Sequence, residues 1–378
     1  MHRTMLGYHR AATTDYVILS CLLLICLSAN PIQSEELQKR PIEFKHETFG
    51  APGLESLRRE FDFDEYVTRG RTELERMLYL KNWVFSNLDF RHNYAIGNLR
   101  NALKILRLGK SGSSFHCSHF ATVYLQSALS LGWTSRYFFL RNIKGEEHAV
   151  NEVWSNELSK WIFIDVTWNV HIEKDGIPLS IIEMREEWIK NGGKDVVYVF
   201  GVGPNERRYT HRDLPVERSD NNAWIWWPLD EIFITYTFEI ALIGRNDFFN
   251  PDVGEGDRFW STIYIVKDWL NSWDKNWSLR LRTDIDDMRA IYHDINRVDI
   301  YREPVDDRTL SVRLDAFGDY NFTPNFKEYL VKINGGRWQV SSERFQWALK
   351  RRKNTLQARI RNLFGVLGPV TTVEVEIN

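Results

Sequence analysis

The chain has 378 residues and sets 49 lysines and arginines against 51 aspartates and glutamates, a formal net charge of -2. That balance gives no electrostatic case for nucleic acid or for an anionic membrane surface, so any partner must be inferred from a site. The length exceeds one ordinary core and predicts two folded units, and the 15 tryptophans suit large cores, interdomain packing or sugar stacking.

At the N-terminus, Arg3 and Arg10 precede an uncharged apolar run from Tyr16 to Leu27, then Ser28, Ala29 and Pro31. This order predicts a secretory signal over residues 1–34, cleaved at about 28–34, and a secreted, periplasmic or cell-envelope protein. The run is too short to span a bilayer comfortably, so no stable membrane span is expected. An uncleaved anchor is the alternative, because Asp15 precedes the run and Leu27 sits three residues from a cut after Ala29. Cys21 lacks a good lipobox ahead of it, and it falls with Cys26 inside the segment expected to be removed. Cys117 is then a lone thiol in an oxidising compartment, with no intramolecular disulfide to form.

The mature chain opens with helical signals. Leu74, Met77, Leu78, Leu80, Trp83 and Val84 mark an amphipathic helix over Arg71 to Asn87, and Ala102 to Leu106 mark a shorter one over Asn101 to Leu108. The Gly/Ser loop 109–114 delivers the chain to a third helix, with Ser113 or Ser114 as its cap, Cys117 in its first turn and Gly132 as its stop. Three strands follow, at Ser135 to Ile143, His148 to Trp154 and Trp161 to Val166, and a helical stretch lies near Ile181 to Lys190. A polar loop over Gly201 to Asn222 predicts the domain boundary. Beyond it, strands at Glu231 to Ile243, Thr309 to Leu314, Lys327 to Ile333, Thr355 to Asn362 and Thr371 to Ile377 suggest an antiparallel β-sandwich. The expected organisation is one domain over 35–215 and a sandwich over 224–378, interrupted by a Trp-rich insertion at about 245–277.

A helix N-terminus favours a thiolate at Cys117 through its unpaired N–H groups and aligned peptide dipoles. A nucleophile also needs a base and a group to orient that base. The turn-forming group Ser155 to Ser159, with its midpoint near Asn156 and Glu157, predicts a hairpin that sets His148 opposite Asp165. Singly, such a histidine is more often solvated and such an aspartate a turn-former. The coincidence of all three residues in one segment points to catalysis. Metal binding by His116, Cys117 and His119 finds no second cluster of zinc-ligand spacing, so no metal and no cofactor is expected. The acidic stretch Asn250 to Asp257 lacks the EF-hand ligand pattern.

The stretches "HCSHFATVYLQSALSLGWTSRYFFL", "EHAVNEVW" and "WIFIDVTWNV" resemble the cysteine, histidine and aspartate motifs of the transglutaminase-like superfamily in the same order, within about Glu73 to Val170. Phe115 and His116 stand where that family commonly carries glycine. The resemblance implies an α+β, papain-like fold, with the cysteine helix packed on an antiparallel sheet. It also implies Cys117 as nucleophile, His148 as base and then acid, and Asp165 as the group that fixes the imidazole tautomer. The reaction would pass through a thioester from a carboxamide or peptide bond of a protein or peptide substrate. Trp168 and His119 are candidate pocket residues. The competing readings are a cysteine protease and a non-catalytic surface protein that binds glycan or protein through the sandwich and its tryptophans.

Overall fold

Two of the helices ahead of Cys117 begin where a side chain satisfies a first-turn N–H. The computed structural model describes residues 44–91, 97, 99–141, 147–210, 212–214, 239–249, 263–266, 282–285, 289, 291–318 and 321–377. The apolar run 16–27, Trp224, Trp226, Trp227, the acidic stretch 250–257 and most of the expected insertion lie outside them. Helix α1 (Pro52–Glu60) starts on a proline, whose missing N–H is no loss at that position, and α2 (Phe63–Val67) follows. Helix α3 (Glu73–Asn87) starts after Thr72, whose hydroxyl accepts the Glu75 N–H at 3.1 Å. Helix α4 (Ala102–Lys110) is capped by Asn101, which accepts from the Lys104 N–H at 3.0 Å.

Helix α5 (Cys117–Ser130) is buried at every position from Ser118 to Ser130, the pattern of a core helix with no polar face. Its start departs from the expected serine cap. Asp89–Phe90 (β1) and Ser114–Phe115 (β2) pair in parallel, so the chain is extended where the cap was expected. His116 takes the N-cap position without a side-chain cap bond. The other end closes as expected: Gly132 adopts φ +86°, and the Trp133 N–H donates to the Ala128 carbonyl at 3.0 Å.

Strands β3 (Ser135–Arg141), β4 (Glu147–Ser155) and β5 (Lys160–Ile164) form consecutive antiparallel pairs beneath α5. Strands β6 (Val170–Lys174), β7 (Ile177–Pro178), β8 (Val197–Phe200) and β9 (Arg207–Thr210) make a second sheet in the order β7-β6-β8-β9. Between them α6 (Ile181–Asn191) begins on a capping box of Ser180 and Glu183.

The expected boundary does not divide the sheets. Strand β10 (Glu239–Ile243), read as part of the second domain, pairs antiparallel with β3, with Ala241 opposite Phe139. Strands β11 (Ile263–Val266) and β12 (Arg282–Ile285) extend the same sheet to the order β12-β11-β10-β3-β4-β5. The reason lies in burial. Ile240 and Leu242 pack on one side of the sheet and Ala241 and Ile243 on the other, so the strand reads as a continuous apolar run that needs cover on both faces.

The remaining strands are β13 (Asp294–Ile295), β14 (Asp299–Asp306), β15 (Thr309–Asp315), β16 (Asn321–Phe322), β17 (Phe326–Ile333), β18 (Gln339–Ser341), β19 (Arg344–Ala348), β20 (Arg352–Asn362) and β21 (Thr371–Ile377). Antiparallel sheets β14-β15-β19 and β18-β17-β20-β21 pool their buried residues in one core, with Val312, Leu314 and Trp347 from the first and Tyr329, Val331, Leu356 and Ile360 from the second. This β-rich region follows the α+β core, as the fold class requires. The tip at Asn334 and Gly335 takes positive φ at both residues.

One buried ion pair ties the core sheet to its surroundings. Arg136 on β3 meets Glu152 on β4 at 2.6 Å, with both side chains essentially inaccessible. The guanidinium stacks 3.7 Å from the Trp161 ring centroid, and Glu152 Oε1 accepts the Ile181 N–H at 2.7 Å and the Tyr292 hydroxyl at 3.0 Å. Removing one partner strands the other charge, so Glu152→Ala should cost about 3–5 kcal/mol of stability in urea unfolding. Glu374→Ala, which breaks the exposed pair with Lys353, should leave the unfolding midpoint in place.

Candidate active site

Cys117 is the first residue of α5 and its thiol is half-buried. The helix start has no side-chain cap, and only the His119 N–H of its first turn finds a backbone acceptor, the His116 carbonyl at 3.0 Å, so the start favours an anion at Cys117. The thiol hydrogen-bonds with His116 and His148 and takes the backbone N–H of Ala149. Burial pushes the thiol up, yet these hydrogen bonds and the charge of His148 outweigh it and bring it down to about 6.

His148 stands near the start of β4, opposite Leu140 of β3, and is 7% exposed. Its Nε2 lies 2.8 Å from Oδ2 of the fully buried Asp165, which leaves Nδ1 as the nitrogen for Cys117. Burial alone pushes the imidazolium down. Asp165, by charge and by hydrogen bond, and the Cys117 sulfur reverse this and raise it to about 10. The two shifts are opposite in sign and share one contribution, the thiolate beside an imidazolium.

The hairpin register differs from the expected one by two residues. Strands β4 and β5 pair from Asn151↔Ile164 to Ser155↔Lys160, so the turn spans 156–159 and its continuation sets His148 across from Thr167. Asp165 is a diagonal neighbour instead of a direct one. A shift of two preserves the face of the sheet, and diagonal neighbours about 7–8 Å apart remain within reach of an imidazole and a carboxylate. Glu73 pins this register from α3, because its carboxylate accepts Asn156 Nδ2 at 2.7 Å, the Glu157 N–H at 2.9 Å and the Ser155 hydroxyl at 3.2 Å.

Asp165 is held by its own turn. Its N–H donates to the Val170 carbonyl at 3.0 Å, the Val170 N–H donates back at 2.9 Å, and Oδ1 accepts the N–H of Thr167 at 2.9 Å. Trp168, on the same turn, sets its ring centroid 6.5 Å from that of His148 and 5.4 Å from that of Phe90. This placement at the imidazole suits a lining residue.

His119 is fully buried, its Nε2 donates to the Gly97 carbonyl at 3.1 Å, and burial with the charges of His116 and Arg100 holds its ring down at about 3. Its ring centroid lies 4.1 Å from that of His116. Sequence reasoning gave His116 no role except as a metal ligand. In the fold it hydrogen-bonds the thiol, and its Nδ1 lies 2.9 Å from the Ser118 hydroxyl. Its position just ahead of the cysteine was the available signal. Buried Tyr137 and Arg100 were missed altogether: Arg100 donates to the Ser118 carbonyl at 3.3 Å and sits 5.4 Å from the Tyr137 ring centroid.

The rate of Cys117 alkylation by iodoacetamide should rise with pH through a midpoint near 6, as the thiolate forms, well below the range of about 8.5 for a free cysteine. Asp165→Asn removes the charge that keeps His148 protonated and should move that midpoint up by about one unit or more.

The sequence model of the transglutaminase-like superfamily matches residues 62–166, the stretch that holds Cys117, His148 and Asp165. Among solved structures, a protein from Cytophaga hutchinsonii assigned as a cysteine protease is 16% identical, over 30% of this chain and 37% of that one, with a TM-score of 0.26. A TGase is 14% identical, over 40% of this chain and 37% of its own, with a TM-score of 0.25. The chain thus spans little more than a third of the length of either. No curated protein matches it. The likeness to the transglutaminase-like superfamily is thus one of residues 62–166, which hold the three residues of the site.

Proposed function

We propose that the protein is an exported cysteine enzyme that cleaves or exchanges a carboxamide or peptide bond through a thioester on Cys117. The observation that carries this reading is the chain of contacts from the thiol at the uncapped helix start, through His148, to Asp165 at 2.8 Å. The thiolate attacks the carbonyl carbon. The oxyanion that forms lies within reach of the Cys117 backbone N–H, which has no intrahelical acceptor. The His148 imidazolium then gives its proton to the departing nitrogen, which leaves a thioester and a neutral imidazole. His148 next takes a proton from the second acceptor as that acceptor attacks the thioester and releases the thiolate. A primary amine as acceptor makes the overall reaction a transamidation; water makes it a hydrolysis.

Protein or peptide substrates fit this chemistry, with glycan binding by the tryptophans of the C-terminal half as an additional contact. Export rests on the basic, apolar and small-residue order of the first 34 residues. Incubation of the purified protein with a peptide library, with and without a primary amine, should yield mass shifts of hydrolysis or amine incorporation. Cys117→Ala should abolish both and remain folded. A wild-type protein silent toward the whole library, or a Cys117→Ala variant that keeps its activity, would refute the reading.

A further inference from the structure

Lys81 lies on α3 and is fully buried. Its Nζ donates to the carbonyls of Asn169 at 3.0 Å and Gly201 at 3.1 Å and sits 3.4 Å from Nδ1 of His171. These acceptors are neutral, since burial and the charge of Lys81 hold His171 down at about 4. An ammonium buried against carbonyls loses several kcal/mol of hydration. An apolar side chain would be less costly at that depth, so the amine's contribution lies in what it holds.

It holds the turn that carries Asp165. Asn169 closes this turn at φ 54°, its N–H donates to the Val166 carbonyl at 3.2 Å, and its carbonyl accepts from the Gly201 N–H as well as from Lys81. The next residue of α3 grips the same point, with Asn82 Oδ1 accepting Asn169 Nδ2 at 2.9 Å. Two consecutive helix residues therefore fasten a six-residue turn, Asp165 to Val170, whose other cargo is Trp168 beside the His148 ring. We propose that Lys81 is a positioning residue that, through the Asn169 and Gly201 carbonyls, keeps the Asp165 carboxylate on Nε2 of His148. This rests on the reading of Cys117, His148 and Asp165 as an acyl-transfer site.

The titratable groups around Lys81 are Asp165 from the turn, the neutral His171 and Glu173 from β6, and Glu206, with Arg208 from β9 beside Glu173. Glu173 is engaged by His171 at 3.0 Å and by Arg208. Burial draws the Lys81 ammonium down to about 7 against the pull of Glu206, Asp165 and Glu173. Both protonation states keep two N–H donors for the two carbonyls, so the grip does not depend on the charge.

The test is histidine NMR of the full chain with Lys81→Met. A loosened turn weakens the contact of Asp165 with His148, so the His148 midpoint should fall by about one pH unit and the Cys117 alkylation midpoint should rise. Loss of a nearby positive charge without displacement of the turn would raise the His148 midpoint. An unchanged or raised His148 midpoint therefore overturns the proposal. Met77→Ala on the same helix should lower the melting temperature and leave the His148 midpoint alone; an equal shift in that variant would show nonspecific loosening and also overturn the proposal. If Lys81→Met does not fold, Asn82→Ala loosens the same turn more gently and should move the His148 midpoint down, with no shift or an upward one again overturning it. A wild-type Cys117 midpoint in the ordinary thiol range would refute the acyl-transfer reading on its own, independently of the Lys81 result.

Discussion

Strand β4 is paired on both sides, from Ser135↔Val153 to Arg141↔Glu147 on one edge and from Asn151↔Ile164 to Ser155↔Lys160 on the other. That double pairing determines where His148 stands. With the strand locked between two neighbours, its side chains cannot slip by one position without sending Ala149 and Val153 out of the cores that hold them. Glu73 fixes the hairpin tip and the Arg136–Glu152 pair fixes the middle of the strand, so the histidine at its open end inherits a position set by contacts remote from it. Helix α5 packs against the same strand, which brings the first turn of the helix to the imidazole.

The electrostatics of the site follow from this placement. Burial opposes both charges of a thiolate–imidazolium pair, and an isolated cysteine and histidine at this depth would both be neutral. The fully buried Asp165 carboxylate tips the balance by stabilising the imidazolium, and the imidazolium in turn stabilises the thiolate. The helix start adds to this because no side chain caps it, so its N–H groups are left to meet whatever charge forms at the sulfur. His116, in the N-cap position, contributes a second imidazole to the thiol in place of a cap.

Much of this was legible in the sequence because the informative signals are local. The helices read over Arg71 to Asn87 and Asn101 to Leu108, the glycine stop at Gly132 and the strands from β3 to β5 all depend on neighbours a few residues away. The face relation of His148 to Asp165 also survived an error of two in the hairpin register, because strand side chains alternate with a period of two. The partner of β10 was not legible. Its apolar pattern shows that the strand is covered on both faces, but not which edge it joins about a hundred residues back along the chain. Nor were Tyr137 and Arg100, which meet each other and the first turn of α5 only once α5, β3 and the chain before α4 converge. A buried lysine such as Lys81 likewise looks like any polar position on an amphipathic helix.

The late arrival of β10 sets an order on assembly. Until synthesis has passed Ile243, the outer edge of β3 presents its row of backbone donors and acceptors to the surroundings, a ready template for any passing extended chain. A fragment cut in the polar linker, where composition alone would divide the polypeptide, would keep its nucleophile yet expose that seam. Strand β10 thus closes the open edge of the sheet that holds His148.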